Sequence, residues 1–359
     1  MSAEVRPFVR ASVEALEAYR PGEQSAAPDL LKLNTNENPY PPSPRVAAAL
    51  RDIDVASLRL YPPPCADALR KALADLHGVG PKCVFVGNGS DEVLRLAARA
   101  FTDDAPRGCA AMFEPTYSLY PVLCAAEEVR VARVPLAGDF GWREPDDAEL
   151  DGATLFFMAN PNAPTGVRYP DGAVAEFAER FGRRGGVLLL DEAYGDFADP
   201  PPPGERLARE RSNVLMCRTF SKSCGLAGIR CGYAVGHPRL IDALDRLKDS
   251  YNLDAVTQRL ALAAVGDREY LRGTVARIVA TRERTARELE KKNWTVVPSQ
   301  SNFLFARPPK GGPDAGEIFR RLRERHVFVR HFPSSPSTRD WLRISIGTDA
   351  DMERLLALL

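Results

Sequence analysis

Between residues 83 and 235 the chain alternates short apolar runs with glycine- or proline-marked turns and stretches of helical spacing. The runs cover 83–86, 109–113, 129–134, 154–158, 187–190, 214–217 and 231–235. Several are continuously apolar rather than alternating, the pattern of strands buried on both faces. Helical spacing appears between them at 91–100, 171–181 and around 118–126. This alternation predicts an α/β fold, with a mostly parallel, helix-covered sheet in a large domain. In such sheets chemistry collects just past the carboxyl ends of the strands, so the functional residues are expected directly after the runs.

After residue 250 the pattern changes. Helices are expected at 257–265, 267–292, 315–325 and 349–358, and short strands at 295–297, 302–306, 327–330 and 341–346. The expected organisation is an N-terminal arm over 1–28, a large domain over 29–250 and a smaller α+β domain over 251–359. One short helix is expected in the arm, at 12–18. The proline cluster at 199–203, running into the charged string 204–212, reads as a solvent loop.

Composition removes several classes of function. Lys+Arg and Asp+Glu are 48 each, so there is no basic excess for nucleic acid or an anionic membrane. The longest apolar run, 260–265, is far too short to span a bilayer, and the first twenty residues hold no signal-peptide core. A soluble, cytoplasmic protein is expected. The 7 cysteines form no CxxC pair and the 4 histidines show no HxH or HxxxH spacing, so neither a disulfide framework nor a metal site is expected.

The string TFSKSCGLAGIRCGY at 219–233 carries the strongest chemical signal. Lys222 follows a buried run and is flanked by serines, a placement suited to a Schiff base with a phosphorylated aldehyde, with Ser221 and Arg230 on the phosphate. The alternative is a solvated loop lysine. Asp191 ends the run 187–190 and suits the ring nitrogen of a pyridoxal cofactor, which an anionic partner keeps protonated. Otherwise it caps the next segment. Tyr194, three residues on, is placed for the ring's phenolic oxygen. Gly87 to Glu92 opens a helix, where backbone N–H groups bind anions and Ser90 serves either that site or as an N-cap. Tyr117 stacks on a planar ring or is a core tyrosine. The NPNAPTG string at 160–166 supplies an amide near the phenolic oxygen or is an ordinary turn.

These motifs, with LNTNENPYPPSP at 33–44, SNFL at 301–304 and LRISIGT at 342–348, resemble those of the histidinol-phosphate aminotransferase family over nearly the whole length. The family consists of fold-type-I pyridoxal 5'-phosphate enzymes. The resemblance implies that Lys222 is the Schiff-base lysine and moves the proton between substrate and cofactor. It implies Asp191 at the pyridine nitrogen, Tyr194 at the phenolic oxygen and Tyr117 over the ring. Ser90, Asp91, Ser221 and Arg230 would surround the phosphate, joined by Tyr61 from a partner subunit, so a homodimer is implied. Arg343 would take a carboxylate. Tyr19, Asn36 and Arg330 would lie near the substrate, with Tyr19 and Arg330 towards its distal phosphate. Two departures stand out. Ala163 occupies the place where the family often has asparagine before Pro-Thr-Gly, leaving Asn162 as the candidate for that role, and Leu60 rather than arginine precedes Tyr61.

The implied reaction moves an amino group between histidinol phosphate and 2-oxoglutarate. Three rivals share the motifs: an aminotransferase for aromatic or other amino acids, a threonine-phosphate decarboxylase-like lyase, and a binding protein without turnover. The last would have no use for Lys222.

Overall fold

The computed structural model describes residues 8–17, 22–24, 27, 29–103 and 108–359. The described chain begins with helix α1 (Ala11–Glu14), strand β1 (Leu31–Lys32), α2 (Pro44–Arg51), α3 (Asp67–His77), β2 (Val84–Asn88) and α4 (Gly89–Ala100). Then come β3 (Cys109–Glu114), α5 (Leu119–Ala126), β4 (Arg130–Pro135), β5 (Leu155–Ala159), α6 (Asp171–Arg183), β6 (Val187–Asp191), α7 (Gly204–Glu210), β7 (Val214–Thr219), β8 (Cys231–Gly236) and α8 (Pro238–Leu247). The remainder runs α9 (Ala255–Val265), α10 (Arg268–Lys291), β9 (Thr295–Val297), β10 (Phe303–Arg307), α11 (Ala315–Glu324), β11 (Val327–Phe328), β12 (Arg330–His331), β13 (Leu342–Ser345) and α12 (Asp349–Leu358).

All seven apolar runs become strands of one sheet, in the order β2-β8-β7-β6-β5-β3-β4. Its pairings are parallel except where β8 lies between β7 and β2, antiparallel to both. The connection 220–230 explains the exception: a parallel return needs a crossover of about a dozen residues or more, usually with a helix. Side chains alternate between two cores. Phe156, Met158, Leu188, Leu190 and Met216 face one, whereas Leu155, Phe157, Leu189 and Leu215 face the other. Burial on both faces is the reason these strands read as unbroken apolar runs.

A second, four-stranded sheet, β12-β13-β10-β9, is antiparallel and packs with α10, α11 and α12 around its own core. Packing crosses the expected division at residue 250. Leu260, Ala261 and Ala264 of α9 join the core of the large sheet, while Leu31 and Leu33 join the C-terminal one. β1 pairs in parallel with β11, and the Leu33 carbonyl accepts the Ser345 N–H at 3.0 Å. The N-terminal segment is thereby built into the C-terminal unit. α1 sits against its own chain, with Ser12 Oγ 2.8 Å from Glu128.

The expected solvent loop at 199–212 is corrected. It contains α7, with Leu207 fully buried against the sheet and the Gly204 N–H donating to Glu192 Oε1 at 2.6 Å. Its two buried apolar positions, Leu207 and Ala208, are adjacent within a charged string, so no helical period shows. α2, α3 and α8 are likewise additional to the expected elements.

Leu33→Ala is expected to lower stability by about 2–5 kcal/mol, the cost of truncating a buried leucine. Urea unfolding of the variant, followed by circular dichroism, checks this.

Candidate active site

β2, β3, β5, β6 and β7 run in one direction, so their carboxyl ends share an edge, and the antiparallel β8 starts there. A cavity of about 310 Å³ lies at that edge, closed on its other side by the C-terminal unit. It brings together Asn36, Ser90, Asp91, Tyr117, Asp191, Tyr194, Ser221, Lys222, Arg230, Arg330 and Arg343. A larger hollow of about 670 Å³ adjoins it and shares Tyr117 and Arg330.

One end of the cavity is built for an anion. α4 starts at Gly89, so Ser90 lies inside its first turn and is not its cap, and Asn88 at the cap position makes no side-chain bond to the helix. First-turn amides without a side-chain cap attract anions. Two glycines permit the approach. A Cβ on Gly89, whose φ is +75°, would come within 2.7 Å of Arg230 Nη2, and one on Gly232 would meet the Ser90 nitrogen at 2.3 Å. Arg230 places Nη1 3.4 Å from Ser221 Oγ and Nη2 3.2 Å from Asp91 Oδ2. Amides, a hydroxyl and a guanidinium therefore line one wall, the donor set that phosphate requires. Burial holds the Asp91 carboxyl above its usual range in spite of Arg230.

Asp191 closes the opposite requirement. It shares the sheet face of Leu189, covered by α5, and is 4% exposed. From α5, Tyr120 Oη donates to Asp191 Oδ2 at 2.8 Å, and the Ala193 N–H donates to Oδ1 at 3.1 Å. Burial pushes the Asp191 carboxyl up to about 6, against the pull of these two hydrogen bonds. The Tyr120 phenol, fully buried beside that carboxylate, is held far above its ordinary value and so remains a donor. A buried carboxylate of this kind suits a cationic ring N–H. Sequence reading missed Tyr120. Its signal was the three-residue spacing between Tyr117, just ahead of α5, and Tyr120 in its first turn, whose rings meet edge to face at 5.4 Å.

Lys222 lies in the turn after β7, with Nζ donating to the Thr35 carbonyl at 3.1 Å and standing 5.8 Å from the Tyr194 ring centre. The turn is anchored from below: Ser223 Oγ bonds Asp196, which with Glu192 pairs with the partly buried Arg218. Tyr194 Oη accepts from Asn36 Nδ2 at 2.9 Å. Arg330 and Arg343 stand directly opposite each other on β12 and β13, and Arg343 Nη2 donates to the Asn34 carbonyl at 2.9 Å. Two cations at facing positions repel unless anions lie between or beside them.

Two candidates fall elsewhere, and a third is not among the described residues. Asn162 is fully buried away from the cavity, accepting from Thr116 Oγ1 and donating to the Pro115 carbonyl and Thr165 Oγ1, each at 3.0 Å. Its amide holds the turn together, and Ala163 is the residue that faces the cavity. Tyr61 is 81% exposed and stacks on Tyr251 at 4.4 Å, apart from its own chain's cavity. Tyr19 lies outside the described residues. Among the described residues no helix is long and apolar enough to cross a membrane, and no cluster of His, Cys, Asp or Glu is arranged for a metal ion.

The family model described as aminotransferase class I and II matches residues 28–359. A histidinol-phosphate aminotransferase of Chromohalobacter salexigens is 45% identical over 98% of both chains, and one of Geotalea daltonii is 42% identical over 98% of both. The solved histidinol-phosphate aminotransferase of Sinorhizobium meliloti, in complex with pyridoxal-5'-phosphate, superposes with a TM-score of 0.85 at 28% identity, covering 99% of this chain and 97% of that one. A threonine-phosphate decarboxylase of Porphyromonas gingivalis, at 19% identity and a TM-score of 0.78 over 92% of this chain and 98% of that one, shares the fold. The chain belongs to the class I and II aminotransferases, and within them to the histidinol-phosphate aminotransferases. It is thus an enzyme, a transaminase that works with pyridoxal 5'-phosphate.

The raised Asp191 carboxyl makes the apoprotein's stability depend on pH. The contribution is fully present below about pH 4, the unfolded value, and is lost as pH rises through about 6. Asp191→Asn removes the group that must ionise. The apo form of this variant is expected to gain on the wild-type apoprotein between pH 4 and 7, by on the order of 2–3 kcal/mol. Parallel thermal scans across that range, with no cofactor present, check the sign.

Proposed function

We propose that the enzyme transfers the amino group of histidinol phosphate to 2-oxoglutarate, giving imidazole-acetol phosphate and glutamate, in the cytoplasm as a step of histidine biosynthesis. The observation that carries this reading is the single cavity holding Lys222 and Asp191, with a phosphate wall on one side and the facing Arg330 and Arg343 on the other. Pyridoxal phosphate, when bound, supplies an electron sink for the substrate's α-carbanion.

The chain's own residues do the rest. Asp191, as the anion beside it, holds a proton on the ring nitrogen, and Tyr120 holds Asp191. The α4 amides, Ser221 and Arg230 hold the cofactor phosphate. Tyr117 covers the ring, and Lys222 Nζ carries the proton to and from the substrate α-carbon. Histidinol phosphate brings a dianionic phosphate and no α-carboxylate, whereas glutamate brings carboxylates. Arg330 serves the phosphate, and Arg343 the carboxylate in a bidentate fork.

The same reading includes a homodimer. Val55, Leu58, Leu60, Tyr61, Tyr251 and Leu262 are exposed around one region of the surface, the apolar area that a second copy would cover. Tyr61 would then reach the partner's phosphate site. Sedimentation is expected to give a dimer, and full activity in a monomer across dilution would overturn this.

Borohydride reduction of the holoenzyme is expected to bleach its visible band and leave the label on Lys222, and recovery of the label on another lysine would overturn that assignment. Steady-state kinetics test the substrate. Arg330→Ala is expected to raise KM for histidinol phosphate about tenfold or more, as expected for losing a charge-assisted hydrogen bond worth about 1.5–3 kcal/mol, with less effect on glutamate. Arg343→Ala is expected to do the reverse. Equal losses for both substrates in both variants would make these arginines structural.

A further inference from the structure

The hydroxyl of Tyr194 is held by a buried chain of polar groups from three separate parts of the sequence. Ser345 Oγ accepts the backbone N–H of Asn36 at 2.8 Å and donates to Asn36 Oδ1 at 2.9 Å. Asn302 Nδ2 donates to the Asn36 carbonyl at 3.0 Å. Asn36 Nδ2 in turn donates to Tyr194 Oη at 2.9 Å. Asn36 sits at φ +56°, a left-handed conformation that asparagine tolerates, and Asn36, Asn302 and Ser345 are each at most 2% exposed.

Ser345 Oγ takes the Asn36 backbone proton and gives its own to Asn36 Oδ1, so in this arrangement the amide oxygen faces Ser345. The nitrogen then faces Tyr194. An amide nitrogen only donates, so Tyr194 Oη accepts there and its own proton must point elsewhere. The cavity is the remaining direction, since Tyr194 lines it. On this edge the turn at 160–166 presents Ala163, and the Asn162 amide is committed to the turn.

We propose that Ser345 and Asn36 are positioning residues that make Tyr194 an obligate hydrogen-bond donor to the phenolic oxygen of the bound pyridoxal ring. The proposal rests on the reading of the cavity as the pyridoxal phosphate site. A donor at that oxygen would draw electron density from it, so Lys222 Nζ, once joined to the cofactor's aldehyde carbon, would lose its proton at a lower pH. Removing Ser345 Oγ frees the Asn36 amide to turn over, and Tyr194 then spends its proton on Oδ1.

The test is the pH midpoint of the visible absorbance of the holoenzyme. Tyr194→Phe is expected to raise it by about one pH unit or more, tenfold in proton affinity. Ser345→Ala is expected to raise it in the same direction by part of that amount, and Ser345→Thr, which keeps the hydroxyl, to retain the wild-type midpoint. In the Tyr194→Phe background Ser345→Ala is expected to add nothing, because it acts only through the lost hydroxyl. A midpoint unmoved by Tyr194→Phe, or moved by it but not by Ser345→Ala, would overturn the proposal, as would additive shifts in the double variant. A wild-type protein with no visible band on addition of pyridoxal phosphate would instead overturn the cavity reading itself.

Discussion

The site depends on a carboxylate kept out of water. Asp191 ends a strand whose neighbours are buried on both faces, so it inherits the dryness of the sheet at the one edge where the chain opens. Burial alone would neutralise it, and the Tyr120 and Ala193 donors supply the partial compensation that keeps an anion within reach at neutral pH. In the proposed reading, a cationic ring nitrogen would complete what these bonds leave undone. The anion-binding end at α4 and the Lys222 turn lie on the same sheet edge as that carboxylate, so one cavity holds all three.

The second constraint is topological. Segment 220–230 is too short for a parallel crossover, so β8 returns antiparallel and brings its first residues back to the edge the other strands point towards. Lys222 and Arg230 therefore meet the same cavity from the two ends of one connection. The N-terminal segment has a corresponding task. Leu31 and Leu33 fasten it into the C-terminal core, and Thr35 and Asn36 then pass across the cavity to contact Lys222 and Tyr194. The cavity wall and the C-terminal core are thus stabilised together, and a loosening of one reaches the other.

Much of the fold was legible because its strands are apolar on both faces and its site residues follow directly after them. Lys222, Asp191, Ser221, Arg230 and Tyr117 lie within a few residues of a strand end, where local pattern and topology coincide. Tyr120 was not legible in the same way, since its function is a hydrogen bond from a covering helix to another strand. Asn162 misled because NPNAPTG shows which residues form a turn but not which amide faces inward. α7 was read as solvent loop because its adjacent buried residues show no period among charges.

The sequence by itself determined the α/β class, the run of strands, the placing of Lys222 and Asp191 just at strand ends and the family, because each depends on local order along the chain. Only the tertiary structure decided which buried polar groups meet around those residues. The meeting of Ser345 and Asn302 with Asn36, of Asn36 with Tyr194 and of Tyr120 with Asp191 requires the packing of two cores against each other. The reason is physical: a buried polar group must find its hydrogen-bond partner wherever the fold brings one, and that partner carries no fixed spacing in sequence.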